Sequence, residues 1–370
     1  AKMYLLGPIF QPCTFGVFLV VSILLFLRDR PYWAVTSAAV AAAIHPSYIL
    51  AAAALTAAYM LLTFQRTRRL KDAVLIGGWS AALLLPMVAY AAVVFGPTSA
   101  ALSSQARDIL VNTRVPHHAV PRIWLADPTT YFQIIMVLLG LWVSRRTKLF
   151  LILLVPFVTA VSLTVACVVL GSRSPGLLFP WRLSTLLVPV STVVVLGWFV
   201  SFVFKRWGRR LAVWERPIGL AMTGGIAACV LGGVHLMRCN FDFIWHYENV
   251  PMMRFVQATK SPGDVYLIPV AWNRFRLVTG APTFIDWKSC PFKDREVIEW
   301  YARVQEAKHV YADGAVDCEA LSRLASDWHV THVAVGPEGT VDCDGLERVY
   351  GDVRYAVYRL PETQQRYAGR

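Results

Sequence analysis

Apolar positions in the first 238 residues run in long blocks with no strand-like alternation, and the blocks at 13–27, 32–44, 47–64, 73–95, 130–143, 149–171, 183–204 and 217–237 each predict an apolar helix. A bilayer crossing needs about 20 such residues. Segments 32–44 and 130–143 are short, so tilt, extension into the loops or partial re-entry is expected there, and His45-Pro46 marks a turn or a kink.

From Cys239 onward the runs shorten and the period changes. Ser261-Pro262-Gly263-Asp264 predicts a turn into a strand over Val265–Val270, with further strands at Arg276–Thr279 and Thr283–Trp287 on either side of Gly280-Ala281-Pro282. Residues 294–308 place Val297, Trp300, Tyr301 and Val304 on one helical face, and 319–328 is a second amphipathic helix. Thr331–Val335, Glu347–Tyr350 and Tyr355–Leu360 complete a sheet. The pattern predicts a polytopic α-helical membrane protein of about eight transmembrane segments (1–238) followed by a small extracytoplasmic α/β domain (239–370).

Charge adds direction to this pattern. Residues 1–238 hold 21 Lys and Arg against 5 Asp and Glu, and most of the cations fall in four clusters at 28–30, 66–71, 145–148 and 205–216. Each cluster follows every second apolar block, which is how the positive-inside rule is written into a multi-pass chain. The excess therefore reads as topology; a nucleic-acid-binding protein gathers its cations on one folded face. With the clusters cytoplasmic, 1–12, the 45–47 turn, the loops 96–129 and 172–182, and all residues after 238 lie on the other side of a bacterial inner membrane. A chain that starts outside without a signal segment is expected to be preceded by an odd number of helices in a longer protein.

Candidate chemistry belongs where polar residues meet that outer face. The 96–129 loop interleaves Arg107, Asp108, Arg114, His117, His118, Arg122 and Asp127 with prolines and Trp124, and it reads either as an interfacial anchor or as an anion site. Arg173 and Arg182 flank the next outer loop. Arg182 opens an apolar span, a costly position unless it snorkels or meets an anion. His45 in His45-Pro46-Ser47-Tyr48 is expected at the same depth. In the C-terminal region, Trp272, Asn273, Arg274, Arg276, Asp286, Trp287 and Lys288 suit either sugar recognition or core packing.

Four cysteines lie after 238, and Cys318 and Cys343, both in Val-Asp-Cys loops, are the candidate disulfide. No metal-ligand spacing, Walker loop, GxGxxG turn or GxSxG elbow occurs, so neither a metal nor another cofactor is expected.

The many helices, the His-Pro-Ser-Tyr turn, the outer Pro-Trp-Arg and the terminal stretch from SPGDVYLIPV through FIDWKSCPF to THVAVG and YAVYRL resemble bacterial multi-pass proteins of the GT-C glycosyltransferase superfamily. The resemblance implies transfer of a sugar from a polyprenyl-phosphate carrier to a glycan or lipid acceptor on the outer face. It also implies a catalytic acid in the first outer loop, upstream of Ala1. Within the chain it points to Arg173 and Arg182 for the carrier phosphate, Arg114, His117, His118 and His45 as further substrate-binding groups, and Asp127 as the candidate base. A lipid-sugar transporter or flippase and a noncatalytic envelope assembly protein are the alternative readings. The bilayer is the expected partner, and no nucleic acid is.

Overall fold

The structure, a computed structural model, describes residues 12–169, 174–245, 250–312, 314–337 and 339–361. Arg173, expected above to bind phosphate, lies outside the described residues. The chain divides into a helical unit (residues 1–96 and 107–240) and a second unit (97–106 and Phe241 onward).

All eight apolar blocks are helical. They form α1 (Val17–Leu27), α2 (Pro31–Ile44), α3 (Ile49–Thr67) and α4 (Leu70–Val94), then, after three short helices, α8 (Pro128–Ser144), α9 (Leu149–Val169), α10 (Ser184–Leu211) and α11 (Glu215–Trp245). The short ones are α5 (Ala100–Ile109), α6 (Pro116–Ala119) and α7 (Pro121–Leu125). Among the described residues five helical stretches are long and apolar enough to cross a membrane, and those holding α1, α2 and α8 are apolar but shorter. The expectation of eight crossings is met in helix placement and exceeds what length alone supports.

Small residues let these helices pack. Ala34, Ala38, Ala41 and Ala42 of α2 are fully buried against α1 and α3, and a Cβ on Gly140 of α8 would fall 2.5 Å from that of Ser191 on α10. Close backbone approach through small residues is how helices associate where lipid supplies no hydrophobic drive. One buried polar pair, Ser22 with Tyr59 at 2.9 Å, satisfies both hydroxyls in the α1–α3 contact, and Phe26 stacks on the Tyr59 ring at 4.2 Å. The outward surface is apolar: on α11 Leu220 is 74% exposed and Leu231 69%. A helix that is apolar all round and uncovered is stable only in a hydrocarbon surround.

The second unit contains α12 (Val250–Thr259), β1 (Tyr266–Leu267), α13 (Phe275–Thr279), α14 (Asp294–Val310), α15 (Cys318–Trp328), β2 (His332–Val335), β3 (Glu347–Gly351) and β4 (Ala356–Arg359). The sheet order is β1-β2-β4-β3, with β1 parallel to β2 and β4 antiparallel to both its neighbours. Met252, Met253, Val256, Ile268, Phe275 and Val357 fill the core between α12, α13 and the sheet. Thr98 joins this unit by donating from its backbone N–H and its hydroxyl to Asp294 at 2.7 Å each. Cys318 and Cys343 are bonded, as their paired loops suggest.

The expected strand at Arg276–Thr279 is instead the short helix α13. Gly280, at φ 62°, ends it by returning its N–H to the Arg276 carbonyl, and the Lys260 ammonium caps the Thr279 carbonyl. Thr283 contributes only an isolated bridge to Tyr266. A five-residue stretch carries too little pattern to choose between helix and strand, so capping decided it.

Candidate functional site

Prolines set the geometry at one end of the helical unit. A residue before proline is pushed out of the helical region, and His45 is extended (φ −136°) where α2 stops and the turn Pro46–Tyr48 begins α3. Pro116, Pro121 and Pro128 open α6, α7 and α8 in the same way. Phe179, at φ 51°, precedes the turn Pro180–Leu183 that carries Arg182 into α10. Gly176 lets the preceding turn lie on α6, since a Cβ there would come within 2.8 Å of the Ala119 carbonyl oxygen. Arg107 donates to Ser174 Oγ at 2.8 Å and fastens the same turn.

These junctions bring His45, Ser47, His118 and Arg182 together. Arg182 Nη1 donates to Ser47 Oγ and to His45 Nε2 at 3.3 Å, Nη2 reaches His118 Nε2 at 3.5 Å, and the guanidinium lies 5.2 Å from the Phe179 ring centre. A guanidinium only donates. Both imidazoles must therefore accept at Nε2 and carry their proton on Nδ1. His45 Nδ1 is satisfied by Ser47 Oγ at 3.3 Å, whereas His118 Nδ1 is buried with no hydrogen-bond partner among the described residues.

Electrostatics keep both rings neutral. Burial, then the Arg182 charge, pushes His118 down to about 3, and the same two causes in the same order lower His45. His117, whose ring centre is 4.0 Å from that of His118, is lowered by burial and then by Arg114 and Arg182. Arg114 ends a π-helical turn, Leu110–Arg114, just before α6. The result is a cationic centre ringed by neutral imidazoles and a hydroxyl, suited to an oxyanion.

An apolar cleft of about 140 Å³ lies between α8, α9 and α10. Val137, Phe157, Ala160 and Leu187 line it, together with Trp124 and Trp181, whose rings stack at 4.8 Å. Both indole N–H groups are buried and lack a partner among the described residues, although buried indoles ordinarily find one.

Of the sequence candidates, the structure gathers Arg182, His118 and His45, with His117 and Arg114 beside them. Asp127, the candidate base, has a structural role as well. Its carboxylate caps α8 by accepting from the Thr129 N–H at 2.9 Å and the Thr129 hydroxyl at 2.8 Å. Sequence reasoning misses Ser47, Phe179 and the Trp124–Trp181 pair as site residues. Ser47 and Phe179 each lie within three residues of a candidate, but no local sequence signal says that their loops meet.

The opposite end of the helical unit differs. Asp29, in the left-handed region at φ 57°, accepts from Arg66 at 2.6 Å and Lys148 at 3.1 Å, and the bond to Lys148 leads in holding its carboxyl below the usual range. Three of the four basic clusters thus share one end.

Residues 248–307 match a family model described as "Domain of unknown function (DUF6798)", spanning α12, β1, α13 and most of α14. No curated protein and no solved structure matches the chain.

Proposed function

We propose that this chain is a GT-C type membrane glycosyltransferase that takes a sugar from a polyprenyl-phosphate carrier at the Arg182 centre and delivers it to a glycan or lipid acceptor. The observation that carries this reading is the adjacency of a cationic, imidazole-ringed centre to an apolar cleft: Arg182 follows Trp181, which lines that cleft. A polyprenyl phosphate has the same two parts. Its anion suits the guanidinium, and its chain suits a cleft between apolar helices.

In such a transfer the acceptor hydroxyl oxygen bonds to the anomeric carbon while the bond from that carbon to the phosphate oxygen breaks. The electron pair departs on the phosphate, where Arg182 stabilises the growing charge. The His118 Nδ1–H is a spare donor for the same group. The hydroxyl proton passes to a carboxylate, for which Asp127, the cap of α8, is the candidate within the chain.

Membrane placement follows the same reading. Eight crossings put the basic ends in the cytoplasm of a bacterium and the Arg182 end outside its inner membrane, in keeping with the charge rule. The disulfide favours an oxidising compartment for the second unit. From the basic end, α2 rises only about 21 Å to His45 while α4 continues for about 37 Å, at 1.5 Å per residue. An ionisable group at the mouth of an apolar helix, as Arg182 is, marks a functional position by default.

The second reading is a lipid-sugar flippase; prolines inside α4, α9 and α10 are places where a membrane helix bends, although each helix continues through its proline. The deciding experiment is binding of undecaprenyl phosphate to the chain in lipid nanodiscs, followed by an assay of sugar transfer to added glycan and lipid acceptors. Loss of binding in Arg182→Ala is expected, and equal binding by the variant and the parent overturns the site. Carrier movement across the bilayer without covalent transfer selects the flippase.

A further inference from the structure

The second unit holds a separate cleft, of 490 Å³, at the carboxyl ends of its two parallel strands. Ligands of open α/β sheets bind at that edge, because the loops leaving adjacent parallel strands diverge there. Pro269 and Trp272 follow β1, and Gly336, Pro337 and Gly339 follow β2. The facing wall is the segment after α14: Tyr311, Ala312, Gly314, Ala315 and Val316.

The two walls are tied together. Val316 N–H donates to the Thr340 carbonyl at 2.9 Å, Thr340 N–H donates to the Gly314 carbonyl at 2.8 Å, and the Cys318–Cys343 disulfide closes the same pair of segments. Tyr311 Oη lies 3.1 Å from the Leu267 carbonyl and 3.0 Å from that of Ala334, which fixes its wall to both parallel strands. The cleft is therefore preformed.

Its chemistry is selective. None of the described lining residues is charged. Small side chains leave peptide groups at the surface between apolar ones, a lining of mixed character. A partly exposed indole stands over these peptide groups: a Cβ on Gly336 would meet Trp272 Cζ2 at 3.1 Å, so glycine is what keeps the Trp272 wall and the β2 loop in close register. An aromatic face beside neutral hydrogen-bonding groups matches a sugar ring, with its apolar C–H face and its rim of hydroxyls. The other residues of the Trp272–Lys288 stretch take different roles. Asp286 is buried and accepts from the backbone N–H groups of Lys288 and Ser289, and Trp287 packs on Trp300.

We infer that this cleft is a carbohydrate-binding subsite in which a neutral pyranose or furanose ring stacks on Trp272 and bonds to the peptide groups of Ala312, Gly314 and Ala315 on one wall and of Gly336 and Gly339 on the other. The inference stands apart from the Arg182 centre and needs no transfer activity.

The test is saturation-transfer NMR on the whole chain in a sugar-free detergent, with the methyl glycosides of glucose, galactose, mannose, N-acetylglucosamine and arabinose as probes. At least one glycoside is expected to receive saturation, with Trp272→Ala weakening its binding at least about fivefold. Ala315→Leu fills the cleft from an exposed position without removing a core group, and it is expected to abolish the same signal. Reduction of the disulfide is expected to weaken it. Binding of undecaprenyl phosphate is expected to be unchanged in both variants, which separates this subsite from the Arg182 centre. No transfer to any of the five glycosides, equal transfer in Ala315→Leu, or binding of a nucleotide in preference to all of them would overturn the assignment.

Discussion

The two ends of the helical unit handle positive charge in opposite ways. At one end Arg66 and Lys148 converge on the exposed carboxylate of Asp29, so cations from two loops are tied through a single acid. At the other, the groups bonded to Arg182 include two imidazoles held neutral and a serine hydroxyl. The first arrangement joins two loops through an ion pair, and the second joins three chain segments through imidazole and hydroxyl acceptors.

The largest effect that sharpens this contrast is loss of the guanidinium. Arg182→Ala is expected to cost about 1.5–3 kcal/mol in undecaprenyl phosphate binding, roughly ten- to a hundredfold in Kd, as expected for a hydrogen bond to a charged group. Arg182→Lys is expected to recover only part of this, because a lysine cannot present two donors in a fixed fork. A fully active Lys variant would mean that charge alone matters and that Arg182 merely snorkels. Isothermal titration on the two variants separates these outcomes.

Next in size is a steric change that leaves the charge intact. In Gly176→Ala the new methyl would lie 2.8 Å from the Ala119 carbonyl oxygen of α6, which cannot rotate away, so the 174–178 turn must lift from the end of α6. A loss of about 1–3 kcal/mol in the apparent stability of this end is expected, as for other overpacked sites. Limited proteolysis should show it as faster cleavage near Gly176 with no change at Asp29. Equal loosening of both ends would mean that the unit behaves as one cooperative block and that the contrast is only local chemistry.

Much of this was legible in the sequence and some was not. The eight apolar blocks and the alternating basic clusters follow from composition along a line, and each block is a helix. The Cys318–Cys343 pair was legible because two Val-Asp-Cys loops repeat. Arg182 was conspicuous for opening an apolar span. What a linear reading lacks is the third dimension. Ser47 is 135 residues from Arg182, and nothing local in either segment encodes their meeting. The α13 helix was missed because a single glycine and a distant lysine cap outweigh five residues of propensity. Asp127 is conspicuous as an acid among arginines, yet the Pro at the next position is also the mark of a helix start, and capping is the role it plays.

A pH titration probes the neutral imidazoles directly. His118 is held at about 3 and His45 and His117 are also lowered, so the unfolded chain binds more protons than the folded one as pH drops below 6.5. The stability contributed by the neutral rings is present above 6.5 and is lost progressively as pH falls toward 3. The melting temperature of this end is therefore expected to fall between pH 6.5 and 4, and to fall less in His118→Gln, which has no proton to gain. Bound phosphate should oppose the effect, because an anion beside the rings favours their protonated form. Proton uptake on phosphate addition at pH 6, measured in two buffers of different ionisation enthalpy, is the direct readout.

The smallest expected effect belongs to the end that looks most strongly bonded. Asp29 makes two charged hydrogen bonds, but all three side chains are about half exposed, and exposed ion pairs contribute little once screening and side-chain ordering are counted. Asp29→Asn suits the test because asparagine tolerates the left-handed backbone at φ 57° and keeps an acceptor for Arg66 and Lys148. The melting temperature should shift only slightly, with less shift still at 0.5 M salt, where the parent pair is already screened. Undecaprenyl phosphate binding should be untouched, since the substitution removes no group at the Arg182 end. A marked loss of binding in Asp29→Asn would show that the inner fastening sets the outer geometry through the helices, and the two ends would then have to be treated as one coupled device.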